Sequence, residues 1–279
     1  MIEEISFIET IKQHIESGEM VLPVFSNSAM RIQQELVKKE TDIRVVEQIL
    51  SSDQSLSSQV LKLANSSFYK GLTEILTVKA AIVRLGMQEI GKISLLASSR
   101  NQFRSKDKSL NIIMKKLWQH SVACAIGAHW LARRCKLDDI AGHAFFAGLL
   151  HDVGKLFVLL VLEKLKREGR GGDITEALLF EAMNTLHTEQ GCNLMQQWNM
   201  PAAYCTVARD HHDANFNEKD TLLLLVKVSN MVCMTLGIGT ETDEDLIPST
   251  TLEANLLSLS EIDLAELEIK LEDTSALSD

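Results

Sequence analysis

The chain has 279 residues, 46% of them hydrophobic, with 28 Lys and Arg against 38 Asp and Glu for a formal net charge of -10. It is long enough for two domains, or for one helical domain with two lobes, and apolar enough for a sizeable core. The acidic balance excludes general nucleic-acid binding, which needs basic stripes that displace phosphate counterions.

Only three prolines, together with abundant Leu, Ala, Glu, Lys and Gln, favour helix nearly throughout. The start, Met1-Ile2-Glu3-Glu4, is acidic where a secretory signal is basic. No run of about 18 uncharged apolar residues stands out as a membrane span, so the expected location is the cytoplasm, with no membrane partner. The five cysteines, Cys124, Cys135, Cys192, Cys205 and Cys233, lack any Cys-x-x-Cys spacing and read as reduced core thiols.

In chain order, Ile5, Ile8, Ile11 and Ile15 fall at helical spacing over residues 5–17, and Leu22-Pro23-Val24 interrupts that helix. A second helix restarts at Ser26 with Met30, Ile32, Leu36 and Val37 on one face. Thr41-Asp42 offers an N-cap to a third, with Val45, Val46, Ile49 and Leu50 inward, and Asp53 caps a fourth through Leu56, Val60, Leu61, Leu63 and Ala64. Asn65-Ser66-Ser67 stops it, and residues 68–77 form a loop. Residues 78–85 and 88–99 are helices separated by Gly86.

The polar stretch 100–111 is the expected boundary between lobes. A long helix follows from Ile112 with Met114, Leu117, Trp118, Val122, Ile126 and Trp130. Residues 141–150 lead into His151-Asp152, residues 155–165 continue as apolar helix, and 163–172 form a charged, glycine-rich turn. Asp173 or Thr175 opens a helix ending near His187, and residues 191–198 form the next. Another starts at Met200-Pro201 and ends at Asp210-His211-His212-Asp213. Residues 221–236 form a strongly apolar helix marked by Ser229-Asn230, and the acidic remainder is a last helix docked on the bundle edge or a solvated tail. The expected division is 1–105, 106–240 and 241–279.

Seven of the eight histidines lie between His120 and His212. Taken singly, a histidine in a helix is most simply a packed, hydrogen-bonded core residue. Taken together with Asp152, the imidazoles are a donor set suited to a divalent ion. His143, eight residues before His151, either supports that set or merely packs.

The ordered series carries a resemblance. Leu61-Lys62-Leu63-Ala64-Asn65-Ser66, Ala80-Ala81-Ile82, Leu85-Gly86, Trp118-Gln119-His120-Ser121, the run from Ala144 to Lys155 and Trp198-Asn199-Met200-Pro201 all take part. So do Leu22-Pro23, Asp53, His187 four residues before Gly191, and His211-His212. In this the chain resembles the HDOD proteins, a branch of the HD superfamily of metal-dependent phosphohydrolases related to the HD-GYP cyclic-dinucleotide phosphodiesterases. The resemblance covers Leu22 to about Leu236 and implies an all-α, two-lobed helical bundle with an HD-like C-terminal lobe.

It implies metal ligands at His120, His151, Asp152, His187, His211 and His212, with Lys155 on substrate phosphate if the protein is active. Asn230 stands where the catalytic relatives carry a final aspartate, and residues 213–216 lack a Gly-Tyr-Pro loop. An amide brings no negative charge to a metal. The site is then expected to hold one divalent ion (Fe, Mn, Mg or Ni) or none. The protein is expected to be a catalytically inactive bacterial signalling protein that acts through an unknown protein partner or a small ligand such as a nucleotide. The alternative is a metal-dependent phosphohydrolase of nucleotides or cyclic dinucleotides.

Overall fold

The structure is a computed structural model that describes residues 7–16, 26–36, 38, 40–66, 69, 71, 73–170, 174–272 and 274. Leu22-Pro23, Ser67 and Asp173 lie outside them. The described residues are helical and contain no strand. The helices are α1 (Phe7–Glu16), α2 (Asn27–Leu36), α3 (Ile43–Ser52), α4 (Gln54–Ala64), α5 (Val78–Leu85), α6 (Met87–Ser99), α7 (Lys108–Arg134) and α8 (Asp138–Leu150). They continue as α9 (Val153–Arg167), α10 (Glu176–Gln197), α11 (Ala202–Asp210), α12 (Thr221–Thr235), α13 (Leu252–Leu256) and α14 (Glu261–Glu272), with 3-10 turns at Arg100–Gln102 and Pro248–Thr250.

The chain divides into two compact units, and one break falls between Arg104 and Ser105. The smaller unit contains α2 to α6. Its helices are short because capping residues punctuate them: Asp42 accepts from the Arg44 amide at 2.8 Å, Asp53 from Leu56 at 2.9 Å and Thr77 from Ala80 at 3.1 Å. Their inward stripes meet in an apolar core that includes Ile32, Val46, Leu50, Val60, Ile82 and Ile90. Asn65 ends α4 and ties down the following loop, donating to the Leu61 and Ile75 carbonyls at 2.9 and 2.8 Å and accepting from the Ile75 amide at 2.8 Å.

The larger unit contains α1 and α7 to α14. Helix α1 packs on α9, so it does not join the smaller unit as the expected 1–105 division has it; Ile11 is buried there. The pairs α7 with α8, α9 with α10, and α7 with α12 form the body of this unit. Two glycines allow the close approach. A Cβ on Gly148 would lie 2.7 Å from the Cys124 carbonyl oxygen, and one on Gly154 would lie 1.9 Å from the His187 carbonyl oxygen. Both partners are backbone atoms, which a side chain cannot push aside cheaply.

Two helix boundaries differ from those expected of the sequence. Helix α10 runs unbroken from Glu176 to Gln197, capped by Thr175, where two helices were expected. Helix α9 continues to Arg167, so the turn begins later than residue 163. Residues 138–167, interrupted by the charges of Asp152 and Lys155, hold an 18-residue window of mean hydropathy 1.9, and 94% of it is buried within the protein. Neighbouring helices, in place of lipid, cover this apolar surface. The acidic end docks as a helix: Leu264, Leu267 and Leu271 of α14 are buried, Ile269 faces out, and Asp263 pairs with Arg134 of α7.

Candidate metal centre

The larger unit brings His120 of α7, His151 and Asp152 between α8 and α9, His187 of α10, and His211-His212 after α11 into one cluster. Helix α8 stops at Leu150 and α9 starts at Val153, so His151-Asp152 forms the corner. Asp152 sits at the N-cap of α9, where a carboxylate ordinarily accepts from first-turn amides. It makes no such bond. Its two oxygens are directed instead at histidines and at Lys155.

The backbone sets the tautomers. His151 Nδ1 lies 2.8 Å from the Gly148 carbonyl, His187 Nδ1 2.9 Å from Met183, and His211 Nδ1 3.1 Å from Val207. His120 Nδ1 lies 3.0 Å from the Ile238 carbonyl. A carbonyl oxygen only accepts, so each Nδ1 carries a proton and donates. In the neutral ring Nε2 is then left with a free lone pair, the form in which imidazole binds metals. Burial pushes all four imidazoles below the usual histidine range, which outweighs the pull of Asp152 and keeps them neutral. His212 is exposed over part of its ring, yet burial of the remainder and the neighbouring His211 lower it to about 4.

Each Asp152 oxygen faces its own set. Oδ1 lies 3.3 Å from His211 Nε2 and 3.6 Å from His187 Nε2. These three atoms are buried and none has a hydrogen-bond partner. Three orphaned acceptors converging on one point are costly unless a cation satisfies them. Oδ2 lies 3.5 Å from both His120 Nε2 and His151 Nε2, which are 3.2 Å apart. Asp152, His187, His211 and His212 offer four donors within reach of one ion; His120, His151 and Asp152 offer three. Neutral imidazoles with one carboxylate suit a divalent ion of borderline hardness. Burial alone would raise the Asp152 carboxyl, but the Lys155 ammonium beside it holds it well below the usual range, so it is ionised.

Lys155 is not the exposed helix lysine its sequence context also allows. It is 3% exposed, with Nζ 3.0 Å from Asp152 Oδ2 and 2.8 Å from Glu241 Oε1. Burial works against its charge, and the two carboxylates more than offset this, so its pKa is raised. Glu241 comes from the segment after α12, which folds back over the centre. Ile238 supplies the carbonyl that orients His120, and Gly239, at φ 129°, lies so close to that imidazole that a Cβ would be 3.0 Å from it. Sequence reasoning missed Glu241 because it begins an acidic run indistinguishable from a solvated tail. The glycines at 237 and 239 were the available signal that the chain turns back there.

Asn230 is buried on α12 and makes no hydrogen bond to the cluster among the described residues; Ser229 beside it donates to the Cys124 carbonyl at 3.0 Å. His143 lies apart, 2.6 Å from the Tyr204 hydroxyl. Lys227 of α12 fixes the loop after His212: it donates to the Asp213 carbonyl at 2.8 Å, covers the Phe216 ring at 4.3 Å and pairs with Glu253 at 3.3 Å.

Fold and site together define an all-α protein with a buried histidine–aspartate centre. The HDOD domain family model matches residues 22–214, and the chain belongs to the HDOD family. An HDOD domain protein of unknown function from Geobacter sulfurreducens superposes with a TM-score of 0.75 at 22% identity, covering 96% of this chain and 95% of that one. A protein from Shewanella amazonensis SB2B, provisionally described as a metal-dependent phosphohydrolase, gives 0.73 at 17% identity, covering 97% of each chain. An uncharacterized protein of Treponema pallidum (strain Nichols) is 23% identical over 241 residues; the match takes in 83% of this chain but only 45% of that protein's length.

Proposed function

We propose that this HDOD protein is a regulatory module that does not hydrolyse phosphate esters, and that Asp152, His187, His211 and His212 hold one divalent ion as part of its architecture. The observation that carries this reading is the state of Lys155. Where the resemblance assigns that side chain to substrate phosphate, here it is buried and paired on both sides by Asp152 and Glu241. A phosphate would have to displace a carboxylate already in contact and desolvate the pair again. Asn230 in place of an acid lowers the negative charge available to hold further cations. With catalysis set aside, the module passes its signal on through contact with a protein partner or a small ligand such as a nucleotide.

The second reading, a metal-dependent phosphohydrolase, draws support from the orphaned Nε2 atoms of His187 and His211. A divalent ion bound there supplies Lewis acidity for activating water. In that reading Asp152 and the histidines orient the ion, and Lys155 exchanges Glu241 for substrate phosphate. The test is an assay of bis-p-nitrophenyl phosphate and cyclic dinucleotides with added Mn or Fe. No turnover is expected; turnover that disappears in Asp152→Ala overturns the regulatory reading.

A further inference from the structure

We infer that Lys155 is a resident cation of the centre: its ammonium, clamped by Asp152 and Glu241, occupies the electrostatic place of a second metal ion, so the site takes one divalent ion and no more. This rests on the one-ion reading above and adds what limits the number.

The two oxygens of Asp152 are not equivalent. Oδ1 and the Nε2 atoms of His187 and His211 are buried without a hydrogen-bond partner. Oδ2 already has a cation, the Lys155 ammonium at 3.0 Å. That ammonium is in turn held by Glu241 at 2.8 Å, on a segment fixed by the Ile238 bond to His120 and by Gly239 against the same ring. His120 and His151 therefore face a carboxylate oxygen whose charge is already shared.

Charge balance leads to the same conclusion. Asp152 and Glu241 are the carboxylates in contact with Lys155, and the His120 and His151 rings, each with Nδ1 on a backbone carbonyl, add no charge in the neutral form that binds a metal. With Lys155 charged, one divalent ion leaves a single uncompensated positive charge among these groups, whereas two leave three. In a buried site that excess is prohibitive, since the cost of burying charge rises steeply when it is unpaired. Neutralising Lys155 removes one of these positive charges, so that two ions leave two uncompensated in place of three. It frees Oδ2 and Glu241 beside two imidazoles that already lie 3.2 Å apart. A carboxylate oxygen, two imidazole nitrogens and a second carboxylate then make a donor set for a second ion.

The experiment is equilibrium dialysis of the full chain against Mn, followed by metal and protein determination, for wild type, Lys155→Met, Lys155→Gln and the double variant Lys155→Met with Glu241→Gln. Far-ultraviolet circular dichroism identifies variants that keep their helices. If Lys155→Met does not fold, Lys155→Gln, which keeps polarity at the same position, is the readout. The expected result is one ion per chain in wild type, two in the neutral Lys155 variant, and at least a tenfold loss of affinity for the second ion in the double variant. A wild-type ratio of zero or two overturns the inference, as does a folded Lys155 variant that still binds one. Phosphodiester turnover by wild type would refute the regulatory reading while leaving the ion count to stand or fall separately.

Discussion

The two units solve the same packing problem differently. The smaller one buries short, well-capped amphipathic helices around an apolar interior that includes Val46, Leu50 and Ile90. The larger one buries helices that are apolar on most sides, and within them it buries His120, His151, Asp152, Lys155, His187 and His211. Polar groups are costly inside a protein unless fully satisfied, so an interior that keeps so many is arranged for something other than stability. The comparison locates the chemistry: an apolar core explains itself, whereas a charged one requires a ligand or a counter-charge.

The strongest way to break this contrast is Asp152→Ala. It removes the carboxylate that faces four imidazoles and Lys155. Removing one partner of a buried ion pair costs about 3–5 kcal/mol, read by urea unfolding, and Mn binding should disappear with it. A variant as stable as wild type that still binds Mn would mean that the cluster is not organised on this residue.

Next comes Gly154→Ala. Its Cβ would meet the His187 carbonyl and lie 2.8 Å from the Gly191 amide nitrogen, so α9 and α10 must separate. Overpacking of this kind costs about 1–3 kcal/mol. Because His187 moves with α10, Mn affinity should fall at least tenfold even though no ligand is changed. Unchanged affinity would show that helix spacing does not set the donor positions.

These residues also mark what the sequence disclosed. In the smaller unit the 3.6-residue period and the caps Asp42 and Asp53 were legible, because helices with one wet face keep their pattern, whereas Thr77, read as the end of a loop, caps α5. In the larger unit α8 and α9 are buried on nearly all sides, and there the His151-Asp152 pair marked the corner between them, while a break was placed inside α10 where none exists. The motif compensated: the order of His120, His151-Asp152, His187 and His211-His212 identified residues that the fold does bring together. Glu241 was not legible. Its importance lies in a chain reversal more than eighty residues from Lys155, and no local spacing encodes such a contact.

A smaller effect sharpens the other side of the comparison. Asn65→Ala removes three hydrogen bonds to Leu61 and Ile75 and leaves buried backbone groups unpaired. It should cost about 1–3 kcal/mol, with hydrogen exchange rising around Ile75 and Mn binding untouched. Loss of Mn binding would show that the two units do not divide structure from chemistry as described.

Asp53→Ala is the mildest of these changes. Asp53 accepts from the Leu56 amide at 2.9 Å and from the Ser26 hydroxyl at 3.2 Å, and the Leu56 amide, opposed by partial burial, holds its carboxyl below the usual range. Loss of this N-cap should cost about 1 kcal/mol. The sign of its pH dependence follows from linkage. A carboxyl whose pKa is lower in the folded state stabilises fully above the unfolded value of about 3.9 and loses that contribution as pH falls through the folded value. The gap in stability between wild type and Asp53→Ala should therefore be constant from neutral pH to about pH 5 and shrink below about pH 4. A gap that widens on acidification would mean that the carboxylate does not act as the cap.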